Sequence, residues 1–113
     1  MDAVREDVEL LVQKELETAN KKFSMFRSRH EGCAVIAEEI QEAEFEFEII
    51  NEAFETIWNL TKNDECGEVE VYKVKNSAIS MAVEAIQVAA MAQKFVDSEK
   101  QRTEKENADK ITG

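Results

Sequence analysis

The sequence predicts an all-α protein of long antiparallel helices, forming a helical bundle completed by oligomerisation. Three observations carry this expectation. The 113 residues contain no proline and only three glycines, Gly32, Gly67 and Gly113, so little interrupts a helix. Glu, Ala, Lys and Gln are abundant, and all suit helices. Apolar residues recur at intervals of three and four along most of the chain.

The first periodic stretch runs from about residue 2 to residue 22, with Val4, Val8, Leu11, Val12, Leu16 and Ala19 on one stripe. Phe23, Met25 and Phe26 lead into a basic joint of Arg27, Ser28, Arg29 and His30. Ser28 is placed to cap the next helix, with Glu31 three residues later in the capping-box position. That second helix spans about residues 28–61. Its heptad reads Ile36, Ile40, Ala43, Phe47, Ile50, Phe54 and Ile57, a rod of roughly 45–50 Å. Residues 62–67 end it, and Gly67 suits a turn. The third stretch, about 69–97, repeats the pattern with Val74, Ala78, Met81, Ala85, Val88, Ala92 and Phe95. Residues 68–73 alternate as a strand would, but a lone strand has no partner, so they are read as the helix start. The reading is one domain over residues 1–98 and a polar, partly disordered tail over 99–113.

Charge and composition narrow the function. With 25 acidic and 14 basic residues the net charge is −11, which argues against a nucleic-acid groove lined by Lys and Arg. No run approaches the roughly 18 apolar residues of a membrane span, and the first residues lack a secretory signal. Cys33 and Cys66 are therefore expected as reduced thiols in a cytoplasmic protein, Cys33 as a small buried one. Phe23 and Phe26 are read as core or subunit packing, and Phe45 and Trp58, off the main seam, as contacts with another subunit.

The carboxylates suggest a site. Glu39 and Glu42 immediately precede the seam residues Ile40 and Ala43; Glu84 and Gln87 immediately precede Ala85 and Val88. Both pairs thus lie on equivalent flanks of their helices, and an antiparallel hairpin turning near residue 63 brings them face to face. Two i, i+3 pairs converging in this way can hold a hard divalent cation such as Mg²⁺ through oxygen ligands. Glu46, one turn beyond Glu42, is a candidate additional ligand; Glu38 points farther from the seam. A solvated acidic face, common in so acidic a chain, accounts for the same pairs. Arg27, Arg29, Lys73 and Lys94 are candidate phosphate contacts or ordinary surface charges. His30, the single histidine, either touches substrate or helps cap its helix.

The EExxE element (Glu38, Glu39, Glu42) followed by the ExxD-like Glu84 and Gln87 resembles the MazG-like nucleoside triphosphate pyrophosphohydrolases. The strings His30-Glu31-Gly32-Cys33-Ala34-Val35 and Gln87-Val88-Ala89-Ala90-Met91-Ala92 look like those of short phage- and prophage-associated members. The resemblance spans roughly residues 25–96. It implies an all-α oligomer, a homodimer or homotetramer, that uses Mg²⁺ (or Mn²⁺) to hydrolyse a nucleoside triphosphate to monophosphate and pyrophosphate, a housecleaning reaction for the nucleotide pool. Carried over, Glu39, Glu42 and Glu84 match metal ligands, with Gln87 and Glu46 beside them. Glu38, Glu39 and Glu42 form the catalytic element, and His30, Arg27 and Lys94 are the expected substrate contacts. The chain departs from the pattern at Gln87, where the motif has Asp: an amide brings no negative charge and no general base. The alternative is therefore a non-catalytic helical oligomer or nucleotide-binding module.

Overall fold

The computed structural model describes residues 2–112; Met1 and Gly113, which the expected domain and tail include, lie outside them. A single 3₁₀ turn, Asp2–Val4, leads into helix α1, Arg5–Lys22. Helix α2 is Arg29–Lys62 and α3 is Glu68–Thr112. α2 and α3 start within one residue of expectation, α1 starts three residues late because the 3₁₀ turn takes its first residues, and no strand occurs among the described residues. The alternating residues after Gly67 are indeed the first turn of α3.

Local chemistry explains the boundaries. Acidic Glu6 and Asp7 open α1 and basic Lys21 and Lys22 close it, each complementing the helix dipole. The Glu31 N–H donates to the Ser28 hydroxyl at 3.1 Å, the expected cap of α2. The Glu31 carboxylate pairs with Arg27 at 3.3 Å. At the far end of α2 the Asp64 N–H donates to the Thr61 carbonyl and the Glu65 N–H to the Leu60 carbonyl. This is a Schellman motif with Asp64, at φ 56°, in the left-handed position. The strained residue of the turn is thus Asp64, not Gly67. Gly67 instead offers the carbonyl that accepts the Val71 N–H at 2.9 Å and starts α3.

The chain divides into two compact units. One comprises the residues up to Ala37 together with those from Ile86 on; the other is the hairpin Glu38–Ala85. In the first, Leu16, Phe26, Ala90 and Met91 form the core, with Val12, Val35, Ile36 and Phe95 packed against it. α2 passes so close to the Phe95 ring that a Cβ on Gly32 would stand 2.5 Å from it. The joint between α1 and α2 is held by α3. The Phe26 N–H donates to the buried Ser98 hydroxyl at 3.0 Å, and Arg102 donates to the Phe26 carbonyl at 3.1 Å. Arg29 grips Glu99 with two hydrogen bonds of 3.1 Å, and Arg102 pairs with the same carboxylate. Helix α3 therefore continues well past its expected end near Asp97, because residues 98–102 have partners some 70 positions earlier in the chain.

In the hairpin unit, Ile49 aside, the protected residues are Glu39, Ala43, Glu46, Ile50, Ala53, Ile57 and Leu60 on α2, and Gly67 just before α3 with Glu70, Val74, Ser77, Met81 and Glu84 on it. Both series step by three and four. The seam shares Ala43, Ile50, Ile57, Val74 and Met81 with the expected one, but its other row is turned by one residue. Ile40, Phe47, Phe54, Ala78 and Ala85, expected inside, are exposed. Small buried Ala53 and Ser77 let the helices approach closely, which the aromatic row would prevent. By length and composition α3 is the one described helix that could cross a membrane, its most apolar window averaging a hydropathy of 1.2. Core helices of water-soluble proteins meet the same measure.

Candidate metal centre

Turning the seam by one residue moves the glutamates inward. Glu39 and Glu84 are half-buried and Glu42 borders them from the outside. One carboxylate oxygen from each of Glu39, Glu42 and Glu84 can be chosen so that all lie within 4.8 Å of one another. The convergence of the two helices on these three side chains is as the sequence predicts. Glu42 and Glu84, but not Glu39, line a groove of about 380 Å³ together with Glu38, Gln41, Phe45 and Glu46.

Three carboxylates this close repel. Partial burial, the largest cause, together with hydrogen bonding and charge from Glu42 and then Glu39, pushes Glu84 up from 4.5 to about 7. The hairpin's three basic residues, Lys62, Lys73 and Lys75, all lie in the turn-proximal stretch between positions 62 and 75. Lys62 rests near the Trp58 ring and Lys73 pairs with Glu70.

The donor set suits a hard divalent cation. Octahedral Mg²⁺ binds oxygens at about 2.0–2.1 Å, so opposite ligands stand near 4 Å apart. The three oxygens, within 4.8 Å of one another, would have to draw together to meet that geometry. Glu46 lines the same groove, as its place one turn beyond Glu42 suggests. Glu38, which the spacing placed farther from the seam, lines it too, because the rotated seam brings its flank round. Phe45, expected to be a subunit contact, is exposed and forms part of the groove wall. The signal that finds it is the i, i+4, i+7 relation of Glu38, Glu42 and Phe45.

The remaining candidates lie in the other unit. Gln87 belongs to its part of α3 and is half-buried. His30 and Arg27 are exposed and line a cavity of about 290 Å³ with Ser28, Arg29, Arg102 and Glu106. Arg27 pairs there with Glu31. Lys94 is only 2% exposed, its ammonium 5.1 Å from the centre of the Phe26 ring. Burial pushes its pKa below the usual lysine range, with the Glu31 charge pulling the other way. So enclosed an ammonium is a core element and not a surface phosphate contact. Cys33, expected to be buried, is exposed, as is Cys66. Of the two phenylalanines at the joint, Phe26 is in the core and Phe23 faces solvent. Compared with family models, with curated proteins and with solved structures, the chain matches none.

Proposed function

We propose that the protein is a Mg²⁺-dependent nucleoside triphosphate pyrophosphohydrolase acting as a cytoplasmic homo-oligomer, converting a (deoxy)nucleoside triphosphate and water to the monophosphate and pyrophosphate. The observation that supports this reading is the convergence of Glu39, Glu42 and Glu84 at the hairpin interface. It rests also on the resemblance of the EExxE element and its partner helix to the MazG-like enzymes. Crowding three like charges together, two of them half-buried, costs stability, and a divalent cation offsets that cost.

Glu39, Glu42 and Glu84 would hold the cation, with Glu46 as a further carboxylate in the groove. When bound, Mg²⁺ supplies charge neutralisation at the polyphosphate and a lower pKa for the attacking water. Glu38 offers a carboxylate in the same groove to accept that water's proton as its oxygen attacks phosphorus and pyrophosphate departs. In a chain of net charge −11, carboxylates alone would repel the substrate, so the cation is a condition of binding as well as of chemistry. Mn²⁺ would satisfy the same oxygen donors.

The test is pyrophosphate release from a panel of nucleoside triphosphates, with and without Mg²⁺, for the native chain and Glu39→Gln. The expected result is Mg²⁺-dependent release that falls at least a hundredfold in the variant. Gln87, an amide where the motif has an acid, favours the second reading, a non-catalytic nucleotide-binding oligomer. That reading requires no release from any nucleotide.

A further inference from the structure

Arginine is scarce in this chain and unevenly placed. Three of its four arginines, Arg27, Arg29 and Arg102, line one cavity of about 290 Å³ with the single histidine, His30, and with Ser28 and Glu106. Sequence places Arg27 and Arg29 at the α1–α2 joint. Arg102 comes from the far part of α3, and its hydrogen bond to the Phe26 carbonyl ties it to that joint. The cavity lies in the unit that does not carry the carboxylate cluster. That unit has 12 acidic and 11 basic residues, so it does not repel an anion as the hairpin does.

We infer that this cavity binds a compact oxyanion of the phosphate class, a phosphate or pyrophosphate group, between the guanidinium groups of Arg27, Arg29 and Arg102 and beside His30. Guanidinium forks match phosphate oxygens in pairs, which the point charge of a lysine does not. Each guanidinium carries five N–H donors. Bonds within the protein use one on Arg27, to Glu31, two on Arg29, to Glu99, and two on Arg102, to Glu99 and Phe26. Most of the donors are therefore open to a ligand. The Ser28 hydroxyl accepts the Glu31 N–H and keeps its own proton to donate. The cluster is also partly fixed in advance. Glu99 holds Arg29 and Arg102 together, and the Arg102 side chain, 31% exposed, is the most enclosed of the three. Such preorganisation lowers the cost of binding. A pair as exposed as Arg27 with Glu31 contributes little by itself, so a doubly charged anion can displace that carboxylate. Glu106, the one carboxylate in the lining, opposes the anion. At about 290 Å³ the cavity stands at the lower limit of the roughly 300–1,000 Å³ of small-molecule pockets, which suits a group of this size.

The inference does not rest on the catalysis proposed above, and its test contains no divalent cation. His30 is the only histidine, so its imidazole signals in a proton NMR spectrum report on the cavity directly. Sodium phosphate or pyrophosphate, titrated into the full chain against sodium chloride at equal ionic strength, should move those signals saturably at millimolar concentration, and chloride should not. Arg27→Gln removes charge-assisted hydrogen bonds and should weaken binding about tenfold. Arg27 pairs only with Glu31, so this variant keeps its fold and decides the matter if Arg102→Gln, expected to weaken binding likewise, unfolds. Glu106→Gln removes the opposing charge and should tighten binding about threefold. Glu39→Gln, in the carboxylate cluster, should bind as the native chain does. A nucleoside monophosphate that binds no better than phosphate marks a free anion as the ligand; one that binds about tenfold tighter, and is weakened by Arg27→Gln, marks the phosphate end of a nucleotide. Equal shifts with chloride and phosphate, or native affinity in folded Arg27→Gln, overturn the site. Binding lost in Glu39→Gln puts the anion at the carboxylate cluster and overturns it as well.

Discussion

Gly32 and Glu84 show how much depends on single side chains. Alanine favours a helix over glycine by about 1 kcal/mol, so Gly32→Ala would ordinarily stabilise α2. Here the new Cβ meets Phe95 at 2.5 Å and Phe26 at 3.1 Å, both rings within the core. Overpacking of this kind costs about 1–3 kcal/mol. Gly32→Ala should therefore lower Tm by several degrees in a thermal scan. Glu84 makes the opposite kind of prediction. Its pKa is raised on folding, so the native state binds more protons than the unfolded chain between pH 4.5 and about 7. Stability contributed by this group is full below that window and is lost as pH rises through it. Glu84→Gln should match the native Tm below pH 4.5 and exceed it by a few degrees at pH 8. Added Mg²⁺ should stabilise the native chain at pH 8 more than the variant.

Among the elements, α3 departs furthest from expectation. Its first turns and its apolar rows are legible because they repeat locally. Its continuation past Asp97 is not, since the side chains there are polar and their partners lie on the α1–α2 joint. Ser98 is 1% exposed and accepts the Phe26 N–H. Ser98→Ala leaves that buried donor without its partner, so urea denaturation should show a loss of about 1–3 kcal/mol with an unchanged m-value. The Glu99 carboxylate adds to the clasp: the hydrogen bond from Arg29, and further contacts with Arg102, hold it below the usual carboxylate range. Sequence periodicity also marked the apolar stripe of α2 but not which half of it meets α3. With two rows sharing Ala43, Ile50 and Ile57, both choices satisfy the heptad. The small side chains Ala53 and Ser77 decide in favour of the row that carries Glu46 and Glu84. The carboxylate cluster was legible for a simpler reason: i, i+3 spacing and a short turn bring Glu42 and Glu84 together in either rotation. Lys94 was misleading because its local sequence gives no sign that an aromatic ring from the joint will cover it.

For the whole molecule, charge is the dominant global property. Ten of the 11 net negative charges fall in 48 of the 113 residues. Such self-repulsion destabilises the folded state and is screened by salt. Raising NaCl from 20 to 200 mM should raise Tm, and a divalent chloride at equal ionic strength should raise it further if the carboxylate cluster gathers cations. Equal shifts in the two salts would mean that only general screening is at work.

The clasp on Phe26 also orders events in time. Its donor and acceptor find their partners 72 and 76 positions later. At 5–20 residues per second of synthesis, a nascent chain emerging from the ribosome waits roughly 4–15 s between making Phe26 and making the residues that fasten it. Until then the exposed rings of the joint are available to any passing chaperone, and truncation before Arg102 would leave them so for good.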